Sequence, residues 1–357
     1  FTTMHDVADY MNAAEWLDYS RRAQYNMGAY GDASQTFAPN YDADKKAYGS
    51  VAASWANIEK AWEGGTYDAS KVGSYDWTDE GKRTGFSQEH TLSASGGTEK
   101  FKGYGSFGYL QDRSTQPGQE YKRYTVNTSF EATPLAYFTM GVSANMSYSH
   151  QDYGYNFSKS VTGAGDYYGA LRGMLPWTVP FDENGDYIRN PNGDVNIINP
   201  INELQYNTNQ RRTFRVNGSL YGEVNFGKIW KPLEGLRYRL QFGPEMRYYS
   251  LGIANAAEGI NGDGNNVAEE NKDTYRSWTL DNLIWYNRDF NKIHSVGLTL
   301  MQSASRYHYD GLSAKANVAT ATELWYNLSS NGNASSFGSG LTESSMTSYM
   351  IRGNYTL

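Results

Sequence analysis

Cysteine is absent from the 357 residues, which excludes disulfides and thiolate metal sites. Apolar residues are scarce, 39% of the chain with a mean hydropathy of −0.70, little for a thick soluble core. No apolar run approaches the ~18–20 residues that a membrane helix needs. Membrane-crossing strands alternate and would leave no such run. A basic stripe is missing as well. The net charge is −7, and nothing in the pattern would neutralise a phosphate backbone, so nucleic acid is not an expected partner. Low hydrophobicity ordinarily reads as disorder. Here 31 Tyr, 14 Phe and 9 Trp argue otherwise. With abundant Gly, Asn and Ser they fit β structure with long polar loops.

The first stretch reads as helical and irregular. "MHDVADYMNAAEWLDYSRRAQYNM" sets Val7, Tyr10, Met11, Ala14, Leu17 and Tyr25 near one helical face, with Asp6 as a candidate N-cap. "AYGSVAASWANIEKAWEGG" predicts a second short helix closed by Gly64-Gly65. Both lie in polar surroundings and are expected in a structured loop.

From Ser87 the period changes to two. In "RRTFRVNGSLYGEVNF" one face carries Phe214, Val216, Gly218, Leu220, Gly222, Val224 and Phe226. The other carries Arg215, Asn217, Ser219, Tyr221, Glu223 and Asn225. "LRYRLQFGPEMRYY" sets Leu236, Tyr238, Leu240, Phe242 and Met246 against Arg237, Arg239, Gln241, Glu245 and Arg247. "YFTMGVSANMSYS" and "YMIRGNYTL" alternate in the same way. Such alternation predicts strands, roughly nine of them. Short turns are expected at Gly96–Glu99, Ala132–Ala136, Gly227–Glu234 and Asn291–Ile293. Long polar excursions are expected over 149–211, 251–274 and 309–345. Short turns on one side and long loops on the other belong to outer-membrane barrels, not to soluble sandwiches. Tyrosines cluster where strands enter the long loops: Tyr148, Tyr153 and Tyr155, then Tyr248 and Tyr249, then Tyr307 and Tyr309. Trp230 and Phe290 lie at short turns. Aromatics at both strand ends match the girdles of a membrane barrel.

The stretch "FSQEHTLSASGGTEKFKGYGSFGYLQD" puts two alternating runs around Gly96-Gly97-Thr98-Glu99. Glycine and tyrosine stand where valine or isoleucine would line a soluble core. Lipid on one face and a polar lumen on the other accounts for this, since both tolerate tyrosine and glycine leaves room for neighbouring rings.

These residues also resemble a known family. "GKRTGFSQEHTLSASGGTEKFKGYGSFGYLQDRS…YKRYTVNTSFEATPLAYFTMGVSANMSYS" is similar to the SusC/RagA family of TonB-linked outer-membrane proteins from Bacteroidetes. The matching positions are Arg83-Thr84-Gly85, Gln88, His90, Leu92-Ser93, Ser95-Gly96-Gly97, Glu99-Lys100 and Gly108-Tyr109, continued by Tyr121, Arg123 and Asn127. "ALRGMLPWTVPFDENGDY" at 170–187 looks like a family loop. The resemblance implies an all-β fold, part of a large antiparallel transmembrane β-barrel whose long extracellular loops carry short helices. It divides the chain into 1–86, an extracellular loop region with short helices, and 87–357, strands of the barrel's N-terminal part. The family's plug, TonB box and remaining strands are not visible, and the last strand pattern runs to Leu357, so a piece of a longer barrel is expected.

The remaining motifs are weaker. "DENGD" places Asp182, Asn184 and Asp186 at partial EF-hand spacing, but position 193 is Gly where a bidentate Glu would stand, so a plain turn is the better reading. His5, His90, His150, His294 and His308 show no metal-binding spacing. His150 and His308 fall at loop ends, as solvated rim residues. There is no G-x-S-x-G elbow and no P-loop, so no catalytic residue, metal or cofactor is assigned. Arg215, Arg237, Arg239, Arg247 and Arg352 share the lumen face, with Glu223 and Glu245 able to pair with them. Loop aromatics Trp177, Tyr167, Tyr168, Trp325 and Tyr326 are candidates for stacking on a ligand ring. Packing inside the loops is the competing reading. Trp16, Trp55, Trp62 and Trp177 are candidate partner anchors on segments 6–62 and 150–210.

The function implied by the resemblance is TonB-dependent uptake of a bulky nutrient, glycan or peptide, across the outer membrane. It implies a SusD-like surface lipoprotein as partner, TonB engaged through parts absent from this chain, and outer-membrane lipid around the strands. The alternatives are a passive porin-like barrel or a β-rich glycan-binding module. No enzymatic step is expected.

Overall fold

The computed structural model describes residues 1–3, 10–30, 37–154, 167–291, 293–318, 326, 328 and 332–357. Its strands form one antiparallel sheet of nine, in plain sequence order. They are β1 Phe86–Gly97, β2 Phe101–Arg113, β3 Gln119–Leu135, β4 Phe138–Tyr153, β5 Asn207–Asn225, β6 Leu236–Asn255, β7 Val267–Phe290, β8 His294–Val318 and β9 Gly332–Thr356. The number and order match the expectation from periodicity. The sheet is open, with β1 and β9 as its two edges.

Single rungs can be followed across the strands. One face carries the row Leu92, Phe107, Val126, Met146, Val216 and Met246. Nearer the short turns it carries Phe130, Val142, Leu220, Phe242 and Leu280. The opposite face carries Ser93, Ser106, Asn127, Asn145, Asn217 and Glu245. Apolar side chains on the first face stay exposed, Leu220 at 47% and Met140 at 49%. The sheet therefore hides no core of its own. It presents one apolar face and one polar face.

Glycine has the expected use on both faces. A Cβ at Gly103 would press on the Phe130 ring at 3.3 Å, and one at Gly141 would run into the ring of Tyr221. The β1–β2 turn closes at residues 98–101, where the Thr98 hydroxyl accepts from the Lys100 and Phe101 amides. Pro134 sits at the register shift between Ala132 and Leu135, a place where the ladder can lack a donor.

Two of the three expected long loops are shorter than the sequence pattern implied. The excursions placed at 251–274 and 309–345 are largely strand, because β6 runs to Asn255, β7 starts at Val267, β8 runs to Val318 and β9 starts at Gly332. Above an apolar band both faces of a strand meet water, so hydropathy stops alternating while backbone pairing continues. The connection over 154–206 remains long.

The helices also differ in detail. α1 (Ala13–Asn26) starts at Asn12, whose side chain accepts from the Glu15 amide while the Glu15 carboxylate accepts from the Asn12 amide. Such a box satisfies two orphan donors at once; Asp6, the expected N-cap, lies outside the described residues. Tyr10 and Met11 precede the helix and are exposed. The short helix expected over 47–65 is α3 (Ala52–Glu59), extended by a 3-10 turn over Lys60–Trp62; α2 (Tyr41–Tyr48, capped by Asn40), which the pattern did not foreshadow, precedes it across Gly49-Ser50. Gly65 adopts φ 77° beyond the end, as a glycine stop should.

The first segment does not form a core alone. α1, α2 and α3 bury Leu17, Tyr48, Trp55 and Ile58 against Trp177. Trp77 packs on Tyr167, Ala170 and Leu171 of α4 (Tyr167–Arg172), together with Met174 and Ile198. Hydrogen bonds from Asn57 to the Trp177 carbonyl (2.9 Å) and from the Trp77 indole to the Thr178 carbonyl (3.1 Å) tie the two segments together. The short helix α5 (Pro200–Glu203) then leads into β5. At the centre of the helical part, Arg21 lies fully buried on Asp44 at 2.6 Å, with the Tyr30 hydroxyl donating to the same carboxylate at 2.8 Å. Burial works against the Arg21 charge, but Asp44 outweighs it and the guanidinium is held still further above its ordinary range.

Candidate functional site

Arg83, in the "RTG" run, fixes how the loop unit meets the sheet. Its guanidinium donates to the carbonyls of Ser114 (2.8 Å) and Gln119 (2.7 Å), at the ends of β2 and β3. The unit thus stands on the side of the sheet opposite the short turns.

On the polar face the expected ion pairs form. Arg215 meets Glu245 at 2.6 Å, while Arg237 and Arg239 converge on Glu223 at 3.4 and 2.6 Å. Glu131 accepts from Tyr221 at 2.7 Å and lies 3.5 Å from Lys102. Arg239 also stacks on Tyr221, 4.2 Å from the ring centroid. The Arg–Glu pairs sit on the adjacent strands β5 and β6, whereas the Tyr221 hydroxyl reaches Glu131 across β4 at Gly141, and each follows from register.

Register also sorts the tyrosines at the strand ends, which the sequence reading grouped together as girdle. Tyr148 and Tyr248 lie on the apolar face in one row with His90, Tyr109, Tyr124 and Phe214. Rings along it approach to 5.2 Å for Tyr109–Tyr124 and 6.5 Å for Phe214–Tyr248. This row keeps the placement expected of a girdle. Tyr153, Tyr249, Tyr307 and Tyr309 belong to the polar face instead. Tyr155 lies outside the described residues. His150 and His308, expected as solvated rim residues, share the apolar-face parity and meet Asp152 (3.6 Å) and Glu343 (2.8 Å) there.

The polar-face tyrosines meet arginines. The Arg247 guanidinium lies 3.9 Å from the Tyr275 centroid, and Tyr275 packs on Tyr309 at 4.8 Å. Arg211 lies between Tyr153 (4.7 Å) and Tyr249 (5.2 Å). The sequence reading named Arg247 as a wall residue but missed this cluster. The signal was present in the odd parity of 211, 247, 249, 275 and 309 once the register is known.

The candidate stacking residues are dispersed. Tyr167 and Trp177 are buried inside the loop unit, 0% and 3% exposed, and offer no free ring face. Tyr168 is half-buried beside Gly81. Tyr326 is exposed. Trp325 lies outside the described residues. Trp55 is buried like Trp177, whereas Trp16 is half-buried, 4.9 Å from Trp177 in ring-centroid distance. Trp16 lines a cleft of about 510 Å³ with Tyr10, Tyr75, Asp76, Trp77 and Arg172. Burial, and next to it the neighbouring Glu80, pushes the Tyr75 hydroxyl above its ordinary range. Asp182 of "DENGD" accepts from the Asn184 and Asp186 amides in a turn. Among the described residues no group of three or more His, Cys, Asp or Glu is placed to hold a metal ion.

No protein-family model matches the chain. It is 26% identical over 230 residues to TonB-dependent receptor P39 of Formosa agariphila, covering 64% of this chain and 20% of that protein. To TonB-dependent receptor P3 of the same organism it is 24% identical over 286 residues, 78% of this chain and 28% of that protein. The chain thus spans less than a third of the curated relatives it matches. In fold it resembles the RagAB peptide transporter with a TM-score of 0.71 at 18% identity, over 97% of this chain and 38% of that one. The closed-closed state of the RagAB peptide importer gives 0.70, over 99% and 39%. With its rungs, its aromatic row and its Ser-Gly-Gly hairpin, the chain is similar in sequence to a stretch of two TonB-dependent receptors and in fold to part of the β-rich RagAB transporter.

Proposed function

We propose that this chain supplies part of the wall and of the extracellular loops of an outer-membrane importer that takes up a bulky nutrient, glycan or peptide, with energy delivered through TonB. The observation that carries the reading is the two-faced sheet. Nine strands in sequence order hold an apolar face crowned by one aromatic row, and a polar face of paired charges. Lipid fits the first and a hydrated lumen the second. In this reading residues 1–86 and 154–206 lie outside the cell and 87–357 otherwise cross or line the membrane. The wall contributes no covalent chemistry and needs no cofactor.

The loop unit is the proposed seat of a SusD-like lipoprotein. Support comes from its own folded cores and from the aromatic cleft beside Trp16, a surface that a partner could cover. Trp55 and Trp177 hold that surface in shape from beneath. Tyr168 and Tyr326 are the loop aromatics proposed to meet ligand, with Trp325 beside Tyr326 in sequence.

Uptake by cells carrying the full-length gene is the test. Dissipating the proton gradient, or removing TonB, should abolish accumulation of the nutrient. Accumulation that persists down its concentration gradient alone would mean a passive pore. Co-purification from the native membrane tests the partner separately. The partner reading fails if no lipoprotein comes with the protein and deletion of 6–62 leaves uptake unchanged.

A further inference from the structure

We infer that the Tyr–Arg cluster on the polar face binds a carboxylate-bearing sugar ring, so that the cargo is an acidic oligosaccharide; this rests on the importer reading above. The charges on this face are unevenly satisfied. Arg215, Arg237 and Arg239 each have a glutamate. Among the described residues neither Arg211 nor Arg247 has a carboxylate partner; Arg211 meets two tyrosine rings instead and Arg247 meets one. The Arg211 Nε–H is buried and donates to no partner among the described residues. A guanidinium stacked by its flat face keeps its in-plane N–H groups free, in the fork geometry that a carboxylate fits with two parallel bonds.

Nearby acids do not fill that role. Asp273 accepts from the Tyr309 hydroxyl at 3.0 Å. Gly311 makes the arrangement possible, since a Cβ there would run into the Tyr309 hydroxyl and approach the Asp273 carboxylate. The cluster therefore offers two stacked cations beside flat tyrosine faces.

Position favours cargo over an interior structural partner. Along β6, Arg247 and Tyr249 flank Tyr248 of the girdle row. With about 3.3 Å per residue and a tilt near 40°, Arg247 and Arg211 stand roughly 28 and 36 Å above the turn ends of β6 and β5. That is the extracellular mouth. Strand spacing puts the two arginines about 14 Å apart, a span that a ligand of several rings can bridge.

Sugar is favoured over peptide by the main chain. β5, β6, β7 and β8 are each paired on both sides, so the strands around the cluster present no free edge to which an extended peptide could add there. It can offer only side chains, here ring faces, phenol hydroxyls and guanidinium forks, and ring faces suit the apolar face of a sugar.

The test uses the full-length receptor, purified in detergent with whatever partner accompanies it. Calorimetry compares a tetragalacturonate with its fully methyl-esterified form and with a tetraglutamate peptide. Tetragalacturonate should bind, the ester should bind about ten- to a hundredfold more weakly, and Arg247→Gln or Arg211→Gln should each weaken the acid form by about the same factor. Arg247→Lys should recover little, because the planar fork is lost. Equal binding of acid and ester, or preference for the peptide, overturns the proposal. So does a melting-temperature loss in the arginine variants with binding intact, since that marks pairing with another part of the receptor. Binding without energised uptake would instead leave this site standing and defeat the importer reading.

Discussion

Leu220→Arg should impair assembly far more than Asn217→Arg, and the structure fixes by how much. The two positions are three residues apart in β5 and therefore on opposite faces. Leu220 lies in an apolar rung between Val142 and Phe242 and is 47% exposed. It stands roughly 13 Å above the turn end of the strand, close to the middle of an apolar band about 25 Å tall. An arginine at that depth costs about 2–4 kcal/mol. No carboxylate shares its rung between Phe130 and Leu280. The folding equilibrium should fall about 30- to 800-fold. Asn217 faces Asn145 and Glu245 across its strand pairs, in a polar and acidic surrounding, and its arginine variant should stay within about 0.5 kcal/mol of the parent. The assay is urea-titrated folding of the full-length receptor into liposomes, read by heat-modifiable gel mobility. Equal folding midpoints for the two variants would refute the assignment of faces.

Sidedness can be read with single cysteines, since the sequence has none: an impermeant maleimide on intact cells should label Asn261→Cys and spare Thr98→Cys, and the reverse pattern would invert the topology. Asp44→Ala leaves Arg21 buried without its partner and strands the Tyr30 hydroxyl, which should cost the loop unit about 3–5 kcal/mol. The paired change Arg21→Met with Asp44→Leu should cost far less. Limited proteolysis of 13–62 ranks the two, and equal susceptibility would contradict the electrostatic account. Tyr30, Tyr75 and Tyr167 have hydroxyls pushed up chiefly by burial. Their folded pKa lies above the unfolded value of about 10, so the stabilisation is complete below that pH and drains as pH rises through it. Hydrogen-exchange protection factors, which remove the intrinsic rise of exchange with pH, should fall in the loop unit above pH 10 before those of the strands; unchanged factors to pH 11 would rule this out.

Much of this protein is legible in its sequence because strand alternation is a local property that reports its surroundings directly. Leu220 and Arg215 declare their faces without reference to any distant residue, and nine such runs with short turns suffice to expect a barrel wall. The glycines at 103 and 141 follow from the same logic, as room for a neighbouring ring. Where the solvent becomes the same on both faces the signal disappears, and the outer parts of β6, β7, β8 and β9 read as loop although their backbones stay paired. Only register, a relation between segments, could put Tyr248 in the aromatic row of the apolar face and Tyr249 on the polar face, give Glu223 to Arg237 and Arg239, and leave Arg247 on Tyr275. Only packing across a long stretch of chain could bring Trp177 into the helices of 13–59 and bury it there. The sequence determined which solvent each strand face meets, because that is encoded residue by residue. The tertiary structure decided which distant side chains meet, because contacts between remote segments depend on strand register and a shared core that no local pattern contains.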